Sequence, residues 1–320
     1  MRHSFKAFLG TLVLASASLV HAQGYPSRPV RLIVPYPAAG AVDIVSRLLA
    51  DKLGGALGTT VIVENKAGAA GMIGAEQMGK SAPDGYTLAM ITVSSHAIAP
   101  SVYRKMPYDP VADFAMVSLT ANTPYIITVN PAVPARSLKE LIALAKAKPG
   151  ALNFGSSGTG TTPHLAGELF NTQAGVKLNH IPYKGSAPMV NDLLGGQVQV
   201  AFDNTVIPNI KAGKLIGLAV TSGTRLAAVP DIPTAIEAGL AGYEAVGWMG
   251  LAAPKGTPPD VVARINRETV RGMALPDVVE KLTGLGFQSA TNSPEQFTTY
   301  IRSEISKWAK VVKDAGITPE

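Results

Sequence analysis

Asn153-Phe154-Gly155-Ser156-Ser157-Gly158-Thr159-Gly160-Thr161-Thr162-Pro163-His164 is the stretch on which the reading of this chain turns. An apolar strand end at residues 151–154 runs into glycines at 155, 158 and 160, interleaved with hydroxyl side chains, and then into an apolar helical pattern from Leu165 to Phe170. Glycine lets a backbone approach a ligand closely and take positive φ. Hydroxyls donate hydrogen bonds without adding charge. The first N–H groups of the helix have no carbonyl partners and sit at the positive end of its dipole. Strand, donor-rich loop and helix start together make an anion cradle.

The same grammar appears near the amino terminus. Val30 to Pro35 reads as a strand, Tyr36-Pro37-Ala38-Ala39-Gly40-Ala41-Val42 as a loop, and Asp43 opens a helix with Ile44, Val45, Leu48, Leu49 and Leu53 at helical spacing. Two cradles far apart in one chain imply one ligand held between two domains.

Working outward, strands and helices alternate. Strands are predicted over 60–63, 86–93, 126–129, 179–183, 198–202, 215–220 and 246–252. Helices are predicted around 73–78, 141–148, 188–194, 232–240 and 258–273, and glycines 54, 55 and 58 close the helix opened by Asp43. Residues 108–120 carry no clear period. Ser293-Pro294-Glu295-Gln296 is a capping box for a last helix whose Phe297, Ile301, Ile305, Trp308 and Val312 form one stripe, which makes Trp308 a core residue. Alternation of this kind reads as an α/β protein with parallel, doubly wound sheets. Asn122-Thr123-Pro124 and Thr221-Ser222-Gly223-Thr224 suit crossovers between domains.

Composition narrows the chemistry. At 320 residues there is room for two domains, and 47% apolar with 16% charged content is globular. The absence of cysteine rules out disulfides, thiolate zinc sites, iron–sulfur clusters and a cysteine nucleophile. Residues 1–22 read as a signal peptide cleaved near Ala22: Arg2 and Lys6 precede an apolar run from Phe8 to Val20, and Val20-His21-Ala22 fits the small-x-small rule. No cysteine follows, which excludes a lipoprotein anchor. The formal charge of +6 falls to +4 without Arg2 and Lys6, and the basic residues are dispersed, so nucleic acid is not an expected partner.

Catalytic motifs are not spelled out. Gly155 and Gly160 have the spacing of a nucleotide-phosphate loop, but Thr161 stands where its lysine belongs. Gly155-Ser156-Ser157-Gly158 is not a nucleophile elbow. Past the signal segment only His96, His164 and His180 supply imidazole, and no metal-ligand spacing or acidic calcium loop occurs. His164 reads either as a local packing residue or as a ligand contact. Tyr183, Asp203 and Asn204, like Ser94-Ser95-His96, lie at strand ends, where open α/β sheets hold their ligands. A serine hydrolase with a base near Ser156 or Ser157 stays open as an alternative.

Taken in order, these segments resemble the periplasmic substrate-binding receptors of the tripartite tricarboxylate transporter family, the Bug receptors. The resemblance rests on Tyr25-Pro26-Ser27-Arg28-Pro29-Val30, Val34-Pro35-Tyr36-Pro37 with Asp43, Val63-Glu64-Asn65-Lys66-Ala67-Gly68-Ala69 and Pro83-Asp84-Gly85-Tyr86-Thr87-Leu88. It continues through Phe154 to Gly160 with His164, Tyr183-Lys184-Gly185, Phe202-Asp203-Asn204 and Trp248-Met249-Gly250-Leu251-Ala252-Ala253-Pro254. It implies a type 2 periplasmic-binding-protein fold of two α/β lobes, 25–122 with 225–320 and 123–224, joined by a two-crossover hinge.

The implied function is capture of a small organic acid (a di- or tricarboxylate, an aromatic acid or an acidic amino acid) for delivery to integral-membrane transporter subunits. No cofactor, metal or catalysis is implied, and the receptor is expected to be a periplasmic monomer; a receptor feeding a membrane sensor kinase is the alternative. The ligand loops fall on Tyr36, Pro37, Ala38, Ala39, Gly40, Ala41 and Asp43, and on Ser156, Ser157, Gly158, Thr159, Thr161, Thr162 and His164. The ligand's far end is expected at Ser94, Ser95, His96, Tyr183, Asp203 and Asn204. One departure stands out: the family's first loop usually carries paired glycines, and this chain has Ala38-Ala39-Gly40-Ala41.

Overall fold

The structure is a computed structural model that describes residues 24–319; the expected signal segment lies outside the described residues. In chain order the strands are β1 (Val30–Val34), β2 (Val61–Asn65), β3 (Thr87–Thr92), β4 (Phe114–Pro124), β5 (Ile126–Val129), β6 (Asn153–Ser156), β7 (Asn179–Pro182), β8 (Val200–Asp203), β9 (Ile216–Val220), β10 (Val246–Pro254) and β11 (Gln288–Ser289). The helices are α1 (Ala41–Leu57), α2 (Met72–Gly79), α3 (Ala99–Val102), α4 (Leu138–Ala147), α5 (Thr162–Ala174), α6 (Ser186–Leu194), α7 (Ile207–Lys211), α8 (Pro259–Met273), α9 (Pro276–Gly284) and α10 (Pro294–Asp314).

The strands form two sheets, ordered β11-β4-β10-β3-β1-β2 and β7-β6-β8-β5-β9. Within each, a parallel unit carries the βα connections: β2-β1-β3 in the first and β7-β6-β8 in the second. The strands flanking the crossovers run antiparallel, β10 to β3 and β4, and β5 to β8 and β9. The chain therefore passes between sheets through Tyr125 alone, the residue between β4 and β5, and returns through residues 221–245. This is the two-lobed α/β architecture of a type 2 periplasmic binding protein.

Four differences from the sequence reading have physical causes. Helix α1 runs through Gly54 and Gly55 and ends at Gly58, whose φ of 70° is the left-handed C-cap conformation that favours glycine. Residues 232–240 form turns rather than a helix: Val220 donates to the Pro233 carbonyl and Ala235 to the Val220 carbonyl, each at 2.8 Å, so the backbone is spent on the edge of β9. The sequence division assigned residues 225–245 to the first lobe. Their Leu226 and Val229 pack with Ile126, Met189 and Val220 of the second sheet. The unperiodic stretch 108–120 yields β4, which lies between β10 and β11 and is buried along most of its length, so it shows no alternation.

The carboxy-terminal helix α10 closes the first lobe and also rests on α5 of the second. Its capping box forms as expected: Ser293 Oγ accepts from Gln296 N at 3.2 Å, and Ser293 N donates to Gln296 Oε1 at 3.0 Å. Phe297, Ile301 and Trp308 are wholly buried, each such side chain contributing ~1.5–3 kcal/mol over exposure.

Candidate functional site

The first loop leaves the carboxyl end of β1 at Tyr36 and enters α1 at its N-cap, Gly40. Asp43 does not cap the helix as expected; it stands in the first turn, buried, and braces the loop. Its Oδ2 accepts from Ala39 N and Arg47 Nε, both at 2.9 Å, and its Oδ1 from Asn65 Nδ2 at 2.8 Å. Asn65 also donates to the Tyr36 carbonyl at 2.9 Å, which ties the loop to β2. Burial alone would raise the Asp43 pKa, but the bonds from Arg47, Asn65 and Ala39 outweigh it and hold the carboxyl below its ordinary value. Pro37, Ala38 and Ala39 are exposed, Gly40 and Ala41 half-buried. The N–H groups of Ala41, Val42 and Asp43 belong to the first helical turn, where no intrahelical carbonyl reaches them.

The second loop leaves β6 and enters α5 at its N-cap, Thr161. Its hydroxyls turn inward. Thr161 Oγ1 donates to the Gly158 carbonyl at 2.7 Å, Ser157 Oγ to Thr161 Oγ1 at 3.4 Å, and Gly158 N to Ser156 Oγ at 3.2 Å. Gly160 N donates to His164 Nδ1 at 3.2 Å. Thr161 thus leaves the helix uncapped, and the N–H groups of Thr162 and His164 remain without intrahelical partners. Helix α5 comes close to the sheet because Gly167 lies over Phe154; a Cβ there would stand 2.3 Å from the ring.

What joins the two loops is Tyr125, which the sequence reading passed over. Burial holds its hydroxyl neutral; it hydrogen-bonds Thr162 of the second loop and lies within electrostatic reach of Asp203 and of Tyr36 in the first. Both crossovers are bolted behind it. Thr221 Oγ1 accepts from Tyr125 N at 2.9 Å and donates to the Ala245 carbonyl at 2.6 Å. Gly160 sits across the seam from Val102, whose Cγ2 would be 3.4 Å from a Cβ at that position.

The remaining expected residues divide. Tyr36 donates to the Ala70 carbonyl at 3.1 Å and shares a hydrogen bond with Thr92 Oγ1 at 3.2 Å, with Ser94 beside it. Ser95 and His96 are wholly buried: Ser95 Oγ bonds back to Thr92, and the His96 ring lies 4.7 Å from Phe114 and 5.6 Å from Tyr108. Residues Ser94–Ile98 coil into a π-helical turn, which carries both side chains into the core instead of the seam. Tyr183 spends its hydroxyl on Asp192 Oδ2 at 2.7 Å. Asp203, buried, accepts from Ser186 Oγ at 2.8 Å and from Thr205 N and Oγ1 at 2.8 and 2.6 Å; burial pushes its carboxyl up against these bonds. Asn204 is buried beside it and makes no hydrogen bond through its side chain among the described residues.

A nucleophile is poorly served here. Ser156 Oγ lies 2.7 Å from His180 Nε2, but Ser156 is wholly buried, and no carboxylate bonds to His180 among the described residues. Two open depressions, of about 420 and 490 Å³, lie away from the seam, beside α1 and β2 and beside Arg136 and Ile232. Neither gathers the loop residues. Among the described residues no three metal-ligating side chains converge, and no helix is long and apolar enough to cross a membrane.

The model of the tripartite tricarboxylate transporter family receptor matches residues 45–317. The chain belongs to that family. It is 38% identical over 312 residues to protein BugT of Bordetella pertussis, covering 97% of this chain and 95% of the relative. Rpa4515 of R. palustris, solved with adipate, is 37% identical and superposes with a TM-score of 0.85 over 92% of this chain and all of that one. MatC of Rhodopseudomonas palustris, solved with malate, is 31% identical with a TM-score of 0.80, covering 90% of this chain and all of the other. Members of this receptor family are solute-binding proteins, and the two-lobed fold described above is theirs.

Proposed function

We propose that this receptor, exported by its amino-terminal signal segment, captures a small organic carboxylate in the seam between the lobes and delivers it to integral-membrane transporter subunits. The observation that carries the reading is that each lobe presents a strand–loop–helix turn with an uncapped helix start, α1 and α5, and that Tyr125 lies between residues of the two loops, Thr162 and Tyr36. The adipate and malate held by two structural neighbours support the carboxylate class. The residues assigned to the ligand are Tyr36, Ser94, Tyr125, Thr162 and Asn204 with the first-turn amides of both helices; Asp43, Ser156, Tyr183 and Asp203 hold the loops.

Charge neutralisation by main-chain donors is sufficient. Each hydrogen bond to a carboxylate nets ~1.5–3 kcal/mol and each helix end adds ~0.3–1 kcal/mol. Four or five such contacts reach the ~8 kcal/mol of micromolar affinity after ordering losses. Because one cradle comes from each lobe, ligand favours the closed arrangement over the open one, and the closed surface is what a permease would recognise.

The test is a thermal-shift screen of the mature protein against succinate, malate, adipate, citrate, benzoate, aspartate and glutamate. A ligand at a hundredfold excess over its Kd raises apparent stability by ~2.7 kcal/mol. A shift with at least one acid, lost in the Ser157→Ala/Thr161→Ala double variant, is expected. Absence of any shift across organic acids, with hydrolysis of ester substrates instead, overturns the reading.

A further inference from the structure

Beneath the second loop two imidazoles lie ring on ring. His164, on α5, and His180, on β7, stack with centroids 3.9 Å apart and planes 21° off parallel. Phe154 continues the stack behind His180 at 5.0 Å. Each histidine reaches one glycine of the loop above. His164 Nδ1 accepts directly from Gly160 N at 3.2 Å. His180 Nε2 meets Ser156 Oγ at 2.7 Å, and that hydroxyl accepts from Gly158 N at 3.2 Å. Both glycines hold positive φ, 137° at Gly158 and 73° at Gly160; glycine takes either sign of φ freely, which leaves these bonds to fix the direction of the amides.

We infer that His164 and His180 are positioning residues: as a neutral pair they set the Gly158–Gly160 backbone in its anion-receiving form. The inference rests on the carboxylate reading above and adds to it. The tautomer of His164 follows from the donor it meets. A backbone N–H can only donate, so Nδ1 must carry a lone pair and the ring proton must be on Nε2. That Nε2 lies 3.8 Å from Glu168 Oε1. Protonating His164 would place an N–H against the Gly160 N–H and release that amide. Protonating His180 as well would stack two cations.

The surroundings favour the neutral pair. From β6, Phe154 and Ser156 face the rings; from α5, Glu168 is the one ionisable side chain that reaches either ring among the described residues. Burial pulls His164 down to about 4, and burial with the neighbouring His164 pulls His180 down to about 3. A pair that only filled space would do as well as two phenylalanines.

The test separates ring from ring nitrogen. Asparagine matches the reach of Nδ1 and glutamine that of Nε2, whereas phenylalanine keeps the stack and loses both. Four variants are compared: His164→Asn, His164→Phe, His180→Gln and His180→Phe. Malate and adipate affinity is expected to fall tenfold or more in both phenylalanine variants and to stay within about threefold in His164→Asn and His180→Gln, while thermal stability follows the opposite order. In unliganded protein at pH 5.5, the ring nitrogen shifts should report a neutral Nε2–H tautomer at His164, and the Gly158 and Gly160 amide resonances should move in the phenylalanine variants only. An imidazolium at that pH, unmoved glycine amides, or affinity that follows the ring would overturn the inference. If the spectra behave as stated and wild type binds no acid, the carboxylate reading falls and the placement of the loop by the pair stands.

Discussion

Ala39 donates its N–H to Asp43 Oδ2 at 2.9 Å while standing at φ 64°, a left-handed conformation in a residue with a Cβ. The position coincides with the departure from the family's paired glycines. The chain keeps the loop shape without the residue that adopts it freely. Left-handed backbone costs an L-residue roughly 1–2 kcal/mol, and glycine's larger unfolded entropy returns about 0.5–1 kcal/mol of that. Ala39→Gly should therefore stabilise the protein by about 0.5–1 kcal/mol, and Ala39→Val should destabilise it by more than 1 kcal/mol. Urea denaturation measures both; a glycine variant less stable than wild type would show that Ala39 is not held left-handed.

Asp43 makes the same loop sensitive to acid. Its folded-state carboxyl is depressed by donors from Arg47, Asn65 and Ala39 despite burial. A depressed carboxylate contributes stability that is fully present above its unfolded pKa, near ~3.9, and is lost as pH falls through the folded value. Wild type should lose this increment below about pH 4. Asp43→Asn should be less stable at neutral pH and show a flatter decline on acidification, read from denaturation midpoints between pH 3 and 7. Parallel curves for the two proteins would remove the carboxylate from the brace.

How much of this was legible beforehand depends on where the information sits. The two strand–loop–helix turns were readable because glycine, hydroxyl and helix-period signals are local, and β6 to α5 carries all three. The brace at Asp43 was misread as a cap because its partner Asn65 lies on another strand, and nothing near Asp43 announces it. Ser95 and His96 were misplaced because a π-helical turn shifts the register after β3, where an ordinary strand end would have exposed them. Tyr125 was invisible because its importance is topological: it is the lone residue between strands of different sheets. His180 gave no signal of its own, since its partner Ser156 belongs to the adjacent parallel strand.

Tyr125 also explains a glycine. A Cβ at Gly247, on β10, would stand 2.3 Å from the Tyr125 hydroxyl and 3.4 Å from Thr123 Cβ. Gly247→Ala must push the phenol away from Thr162 or distort the hinge strands, at a cost of about 1–3 kcal/mol. Removing the hydroxyl removes the obstruction, so Gly247→Ala/Tyr125→Phe should recover most of the lost stability while Tyr125→Phe alone weakens carboxylate binding. A double-variant cycle by thermal denaturation and calorimetry reads both effects. Strict additivity of the stability losses would mean the two groups do not meet.

The last prediction concerns the two tryptophans of the chain, which share one carboxylate. Trp248 Nε1 on β10 and Trp308 Nε1 on α10 donate to Glu304 Oε2 at 3.0 and 2.9 Å, and Lys307 Nζ reaches Oε1 at 3.3 Å. Glu304 is buried, and both tryptophans are buried with it, Trp248 on β10 and Trp308 on α10. Truncation to alanine strands two buried N–H donors, each costing ~1–3 kcal/mol, and opens a cavity beside them. Glutamine keeps an acceptor oxygen for the pair and loses only the charge. Glu304→Ala should therefore cost about 3–5 kcal/mol and shift the tryptophan emission, whereas Glu304→Gln should cost under about 2 kcal/mol with the emission nearly unchanged. Because β10 begins where the second crossover ends, the wild-type emission should also respond to a bound acid, and that response should be lost in Glu304→Ala. Equal stability losses in the two variants would show that the acceptor oxygen is not what the indoles need.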